Sequence, residues 1–169
     1  MSVIDTDPGF KRLMATLNDM KLDTVAVGLF EESENEPDSE YATVQVGAVH
    51  EFGCETAGKN HNIVIPQRSF LRGTLDQMAD KLNEIRSASL SEVFAHARTN
   101  KEVLSQMGGA LADACKKRIA DGIEPANAAS TIARKGSSKP LVNTGHLRSS
   151  IKFKVRAASE NLSEGSVAV

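Results

Sequence analysis

The sequence predicts an α+β fold: a small antiparallel sheet packed against two or three helices, with long loops, in a single domain. Three observations predict it. Two long stretches, 70–94 and 99–121, repeat apolar residues at the three-and-four spacing of a helix. Short β-branched or alternating runs lie outside them, at 24–30, 41–47, 63–66 and 149–156. The segments between are rich in Gly, Pro, Ser and Asn, which punctuate chains. The 169 residues suit one domain, since domains run to roughly 100–200 residues. Its expected extent is 1–156, followed by a small, polar tail at 157–169 that is flexible or ordered only by a partner.

Taken in order, Asp7 and Pro8 open the first helix. Asp can cap, and Pro is tolerated at the first helical position because its missing N–H had no partner there. Phe10, Leu13, Met14, Leu17 and Met20 mark one face of it. Residues 24–30 then read as a strand and 31–40 as an exposed acidic loop. Tyr41 to Gly47 alternates and reads as a second strand, so 24–47 is expected to form a long-looped hairpin. The polar, glycine-containing run from Cys54 to Asn62 reads as a flexible loop. Ile63 to Ile65 is extended, and Pro66 confines it to a sheet edge or exit.

Ser69 can cap the next helix, whose apolar positions are Phe70, Leu71, Leu75, Met78, Leu82, Ile85, Leu90, Val93 and Phe94. Thr99 and Glu102 form a capping-box pattern that starts another. Its face holds Leu104, Met107, Leu111, Ala114 and Arg118 or Ile119, and Asp121-Gly122 stops it. Residues 123–147 read as a long loop. In 149–156, Ile151, Phe153 and Val155 alternate with Lys152, Lys154 and Arg156, as in a half-buried strand.

Composition excludes several classes. Hydrophobic residues at 40% and charged residues at 25% are ordinary for a globular chain. Aromatics are only 4%, so the core must be largely aliphatic. No apolar run approaches the roughly 20 residues that cross a bilayer, and the N-terminus has no signal-peptide h-region. Cys54 and Cys115 match no metal or redox spacing, so two free thiols in a reducing compartment are expected. Net charge is -2 but unevenly spread. From Lys116 to Arg156 ten basic residues face two acidic ones, a local net of +8 that leaves -10 on the rest. Six carboxylates lie within 31–40 alone.

Candidate chemistry sits in three strings. In Val49-His50-Glu51-Phe52-Gly53, His50 and Glu51 could act as an acid–base pair or reach a metal. A structural reading is simpler: both satisfy backbone groups at a strand end, Phe52 packs, and Gly53 permits a turn. Cys54 and His61 with His50 would make a His/Cys/His set, but its spacing fits no standard zinc site and a closed site needs a fourth ligand. In Ile65-Pro66-Gln67-Arg68-Ser69-Phe70-Leu71-Arg72, Pro66 ends the extended run, while Phe70 and Leu71 anchor the helix. Arg68 and Arg72 either pair with carboxylates or stay solvated.

The third string runs from Thr131 to Ile151. Its Lys135-Gly136-Ser137-Ser138-Lys139 lacks the phosphate-loop order, in which Lys follows the second Gly and precedes a helix. Pro140 follows here and removes a backbone donor. Thr144-Gly145 reads as a turn into the last strand, with Gly145 at positive φ and Leu147 and Ile151 buried. No catalytic residue, metal or cofactor is expected.

In this order and at about these distances, the strings resemble the virion-morphogenesis family of neck, or tail-completion, proteins of tailed bacteriophages. Members share "HEFG", "IPxRxFLR" and "KGSxKPLxxTGxLRxSI" patterns, and the likeness covers roughly residues 24–156. This chain departs at His146, where the family more often has Gln, and in its acidic loop 31–40. The resemblance implies structural or interface roles at His50, Glu51, Phe52, Gly53, Pro66 and Arg68. It implies the same at Phe70, Leu71, Gly136, Pro140 and Leu141, and at Thr144, Gly145, Leu147, Arg148 and Ile151.

It further implies a non-enzymatic virion protein made in the host bacterial cytoplasm. Such a subunit forms a homo-oligomeric ring, a hexamer, at the head–tail junction. There it meets the connector and the tail terminator or tail tube proteins, seals the junction and lets DNA pass, with no membrane involved. Arg134, Lys135, Lys139, Arg148, Lys152, Lys154 and Arg156 would then screen passing DNA phosphates without reading bases. Alternatively they meet an acidic surface such as another copy's 31–40, or form a solvated strand face. Only Phe153 interleaves with them, so stacking on single strands is not expected. The polar loops 31–40, 54–62 and 123–147 would order against a partner ring, delaying closure until it is present. Rival readings are a tail-tube terminator ring and a small DNA-binding protein using the basic C-terminal third.

Overall fold

The computed structural model describes residues 8–33, 41–58, 60–136 and 138–156, with the side chains of all of these except 19, 21, 22, 134 and 135. The acidic residues 34–40, Asp7 with its expected cap, and the tail 157–169 lie outside the described residues. Helix α1 (Pro8–Leu22) leads into strand β1 (Thr24–Gly28). After it come α2 (Thr43–Phe52), β2 (Cys54–Ala57), β3 (Ile63–Ile65) and the long helices α3 (Arg72–Phe94) and α4 (Asn100–Asp121). Short helices α5 (Ala129–Lys135) and α6 (His146–Ser149) precede β4 (Lys152–Arg156). The α+β class expected from the sequence is what the chain adopts, with six helices and two two-stranded sheets among the described residues.

Several elements differ from expectation. Tyr41–Gly47 is not a strand, because α2 takes Thr43 onward into a helix. The face it buries is Thr43, Gly47 and Glu51, spaced by four but polar or small, so a count of apolar residues sees only the alternating Val44 and Val46. Gln45 Oε1 accepts the Ala42 N–H at 3.2 Å and closes its first turn. The expected hairpin over 24–47 is therefore absent, and β1 pairs instead with β4, which is distant in sequence.

The run 54–62 is not a loop. It supplies β2, which pairs antiparallel with β3 in the register Cys54 to Ile65 and Ala57 to Ile63, around a turn where the His61 N–H bonds Gly58 O. Within 123–147, α5 and the start of α6 interrupt the expected loop. Ser149 belongs to α6, and the final strand begins only at Lys152.

The chain forms two compact units. One comprises Val27–Asp80 and Gly109–Phe153, and the other Met1–Ala26, Lys81–Gly108 and Lys154–Val169. The first holds one apolar cluster: Phe70, then Ala112, Cys115 and Ile119 of α4, then Ile123, Leu141, Leu147 and Ile151. Val27, Leu29, Leu71, Leu111 and Val142 pack against it. The buried stripe of α4 runs through Val103, Ala112, Cys115 and Ile119, one step round from the expected Leu104, Met107, Leu111 and Ala114, which are half-buried.

In the second unit Leu82, Val93 and Val103 are buried. The Thr99–Glu102 capping box forms as expected. Glu102 Oε2 accepts the Thr99 N–H at 2.7 Å, and Thr99 Oγ1 accepts the Glu102 N–H at 3.3 Å. Three residues expected on the apolar face of α1, Phe10, Leu13 and Met14, are exposed, as are Leu75 and Phe94 of α3.

Gly53 joins α2 to β2 at φ 80° and ψ 168°, a region open essentially to glycine alone. A Cβ there would lie 3.0 Å from Gln67 N and 3.2 Å from Ile65 O, both backbone atoms that cannot step aside. Gly53→Ala is expected to lower unfolding free energy by about 2 kcal/mol, read from the urea midpoint.

Candidate functional site

The first two motif strings meet at the N-terminus of α3, whose leading N–H groups have no helical partners. Glu51, from the last turn of α2, is 3% exposed and turns its carboxylate onto that end. Its Oε2 accepts the Leu71 N–H at 2.8 Å. Its Oε1 accepts the Ser69 hydroxyl at 2.6 Å, the Arg72 N–H at 3.1 Å and the Arg72 Nε–H at 3.1 Å. Ser69 caps as expected, accepting the Gly73 N–H at 3.0 Å, but it also donates to Glu51. Glu51 does satisfy backbone groups, yet at a helix end rather than a strand end.

Burial pushes the Glu51 carboxyl up, but the hydrogen bonds from Ser69, Leu71 and Arg72 outweigh it and hold the group below the usual carboxylate range. Phe52 does not pack into the core. It is 63% exposed, and the Arg72 guanidinium lies over its ring at 4.5 Å, a cation–π contact.

Arg68 was expected to find a carboxylate or solvent. Instead it is 5% exposed and grips backbone, with Nε donating to Pro125 O at 2.8 Å and Nη2 to Ala126 O at 3.2 Å. Burial lowers its pKa, and the Glu124 charge acts against that. The Arg68 N–H bonds His50 O at 2.7 Å, tying the two strings along the backbone as well. Pro66 lies just beyond β3, half-buried.

In the third string Gly136 closes α5 in the left-handed conformation, its N–H bonding Ile132 O at 2.8 Å. Pro140 and Leu141 are buried, Leu141 at φ 60°. Gly145 has the expected positive φ, 84°, though the turn leads into α6 before the strand. Thr144 Oγ1 accepts the His146 N–H at 3.1 Å. Leu147 and Ile151 are buried at 4% and 0% exposure, as expected.

The basic candidates do not form one uniform set. Lys139 Nζ donates to Ala120 O at 2.9 Å, placing its charge on the last carbonyls of α4. Arg148, Lys152 and Lys154 are exposed and Arg156 is half-buried, while the side chains of Arg134 and Lys135 lie outside the described residues.

His61, weighed above and set aside as one of a metal set, directs Nδ1 to Thr56 O at 3.1 Å. Among the described residues no three His, Cys, Asp or Glu side chains gather where a metal could be held. Cys54 and Cys115 are both unbridged, and burial pushes the Cys115 thiol up, away from the reactive thiolate. No described helix is long and apolar enough to cross a membrane.

Sequence reasoning missed Thr43, fully buried on α2, and named Arg118 only as an alternative to Ile119 on the face of α4, whereas it lines a cavity beside α3. Neither has a sequence signal beyond helical spacing. Compared with known protein families, curated protein sequences and solved structures, the chain matches none.

Proposed function

We propose that this protein is a non-enzymatic structural subunit that assembles as a ring at the head–tail junction of a tailed bacteriophage, sealing it while DNA passes. One observation carries the reading: the three strings that suggested it, far apart in sequence, build a single framework. Glu51 of the first holds the backbone of the second. Phe70 and Leu71 of the second share a cluster with Leu141, Leu147 and Ile151 of the third. The polar groups of Glu51, Arg68 and Ser69 are spent on backbone and on one another, which suits shape maintenance rather than turnover. Large apolar side chains stay outside, among them Met14, Ile63 and Val64, and are available to neighbouring subunits.

Measuring the mass of the purified full-length protein across concentration, with electron imaging of any assembled species, tests the reading. Closed rings of one copy number are expected, since a head-to-tail contact that closes generates a ring. A protein that stays monomeric, alone and with connector or tail proteins added, overturns it.

A further inference from the structure

A cavity of about 580 Å³ opens between the first turns of α3 and the last turns of α4. Thr74, Gln77, Lys117, Arg118, Asp121 and Glu124 supply its polar lining. The charges in it are unequally matched. Lys117 Nζ bonds Asp121 Oδ2 at 2.5 Å, and Glu124 Oε2 accepts the Ala126 N–H at 2.9 Å while lying in the field of Arg68. On Arg118 one donor stays unused: its Nε is buried and bonds no acceptor among the described residues. Its guanidinium lies close against Gly73 of α3, where a Cβ would stand 3.0 Å from Arg118 Nη2.

A guanidinium with open donors takes carboxylate or phosphate in a two-point contact. A doubly charged phosphate would leave surplus negative charge beside Asp121 and Glu124, whereas one carboxylate balances the single cation. The chain itself carries a concentrated source, Glu31-Glu-Ser-Glu-Asn-Glu-Pro-Asp-Ser-Glu40, with six carboxylates and no basic residue. Glu31 and Glu32 at its start are exposed. We propose that the Arg118 cavity receives a carboxylate from the 31–40 segment of a second copy, so that this contact helps to join neighbouring subunits. The proposal rests on the ring reading above.

The test uses full-length protein and a synthetic peptide of residues 31–40. The peptide is expected to bind the wild type, to bind Arg118→Gln about tenfold more weakly, and to be displaced as salt rises. Self-association should weaken similarly in Arg118→Gln and in a variant with the six carboxylates replaced by amides. The two changes combined should cost no more than either alone, because they remove one contact. Should Arg118→Gln unfold, the amide variant, which leaves Arg118 and its cavity lining unchanged, still decides. Equal peptide binding by wild type and Arg118→Gln, or self-association unchanged in the amide variant, overturns the contact. So does an effect of the amide variant that is independent of concentration, which would place the segment in its own chain's cavity. Rings that persist through both substitutions sink this contact but leave the ring reading intact. A permanent monomer sinks the ring reading, while peptide binding remains measurable on it.

Discussion

Phe70→Ala is expected to lower the unfolding free energy by about 4 kcal/mol, the middle of the range for truncating a fully buried Phe. Phe70 is 0% exposed and sits where α3 begins, among Ala112, Cys115 and Ile119 of α4 and Leu141, Leu147 and Ile151 of the third string. Its ring is the largest fully buried side chain in a core otherwise built of small and aliphatic residues. Truncation leaves a space among these side chains that relaxation fills only in part, so a cavity term adds to the lost transfer energy. A domain of this size has a total stability of roughly 5–15 kcal/mol, so the variant should be only marginally folded at ambient temperature. The urea midpoint checks this, with the slope giving warning if the variant ceases to unfold in two states. A loss below about 1 kcal/mol would mean that the three strings do not share one packed interior.

Glu51→Ala is expected to be nearly as damaging, about 3 kcal/mol, for a different reason. Removing the carboxylate orphans the Leu71 and Arg72 N–H groups and the Ser69 hydroxyl at a buried helix end, and each lost partner costs about 1 kcal/mol. The ion pair with Arg72 adds little, because the Arg72 side chain is 53% exposed and water screens it. Glu51→Gln should lose less, since its amide oxygen still accepts.

The pH dependence separates the charge from the shape. A carboxyl held below its ordinary value of 4.5 binds its proton more readily in the unfolded chain. Its contribution is therefore complete above that ordinary value and is lost as pH falls through the lower folded value. Wild-type stability should thus decline on acidification below about pH 4.5, and Glu51→Gln should lack the share due to this group. Identical acid profiles for the two proteins would show that Glu51 does not carry the cap.

Much of this was legible in the sequence because it depends on neighbours along the chain. The two long helices announce themselves by apolar spacing, α4 by its Thr99–Glu102 box and by Gly122 beyond its end. Gly145 follows from turn chemistry alone and Ile151 faces inward as read, but the alternation expected beyond it fails, because Phe153 is exposed like Lys152 and Lys154. Residues 41–52 could not be read this way. Their helical face is Thr43, Gly47 and Glu51, buried without being apolar, and two of the three meet something distant: Gly47 the Leu29 and Leu147 side chains, and Glu51 the start of α3.

By itself, then, the sequence determined the class of fold, the long helices and their ends, and which apolar residues of the third string face inward. These rest on propensity, capping and periodicity, all local forces. Tertiary structure alone decided that β1 pairs with β4, that Arg68 holds the backbone at Pro125 and Ala126, that Glu51 caps a helix twenty residues on, and that the Arg118 Nε is buried without an acceptor among the described residues. Each of those depends on which backbone groups would otherwise be buried unsatisfied, and that is set only when remote segments close on one another.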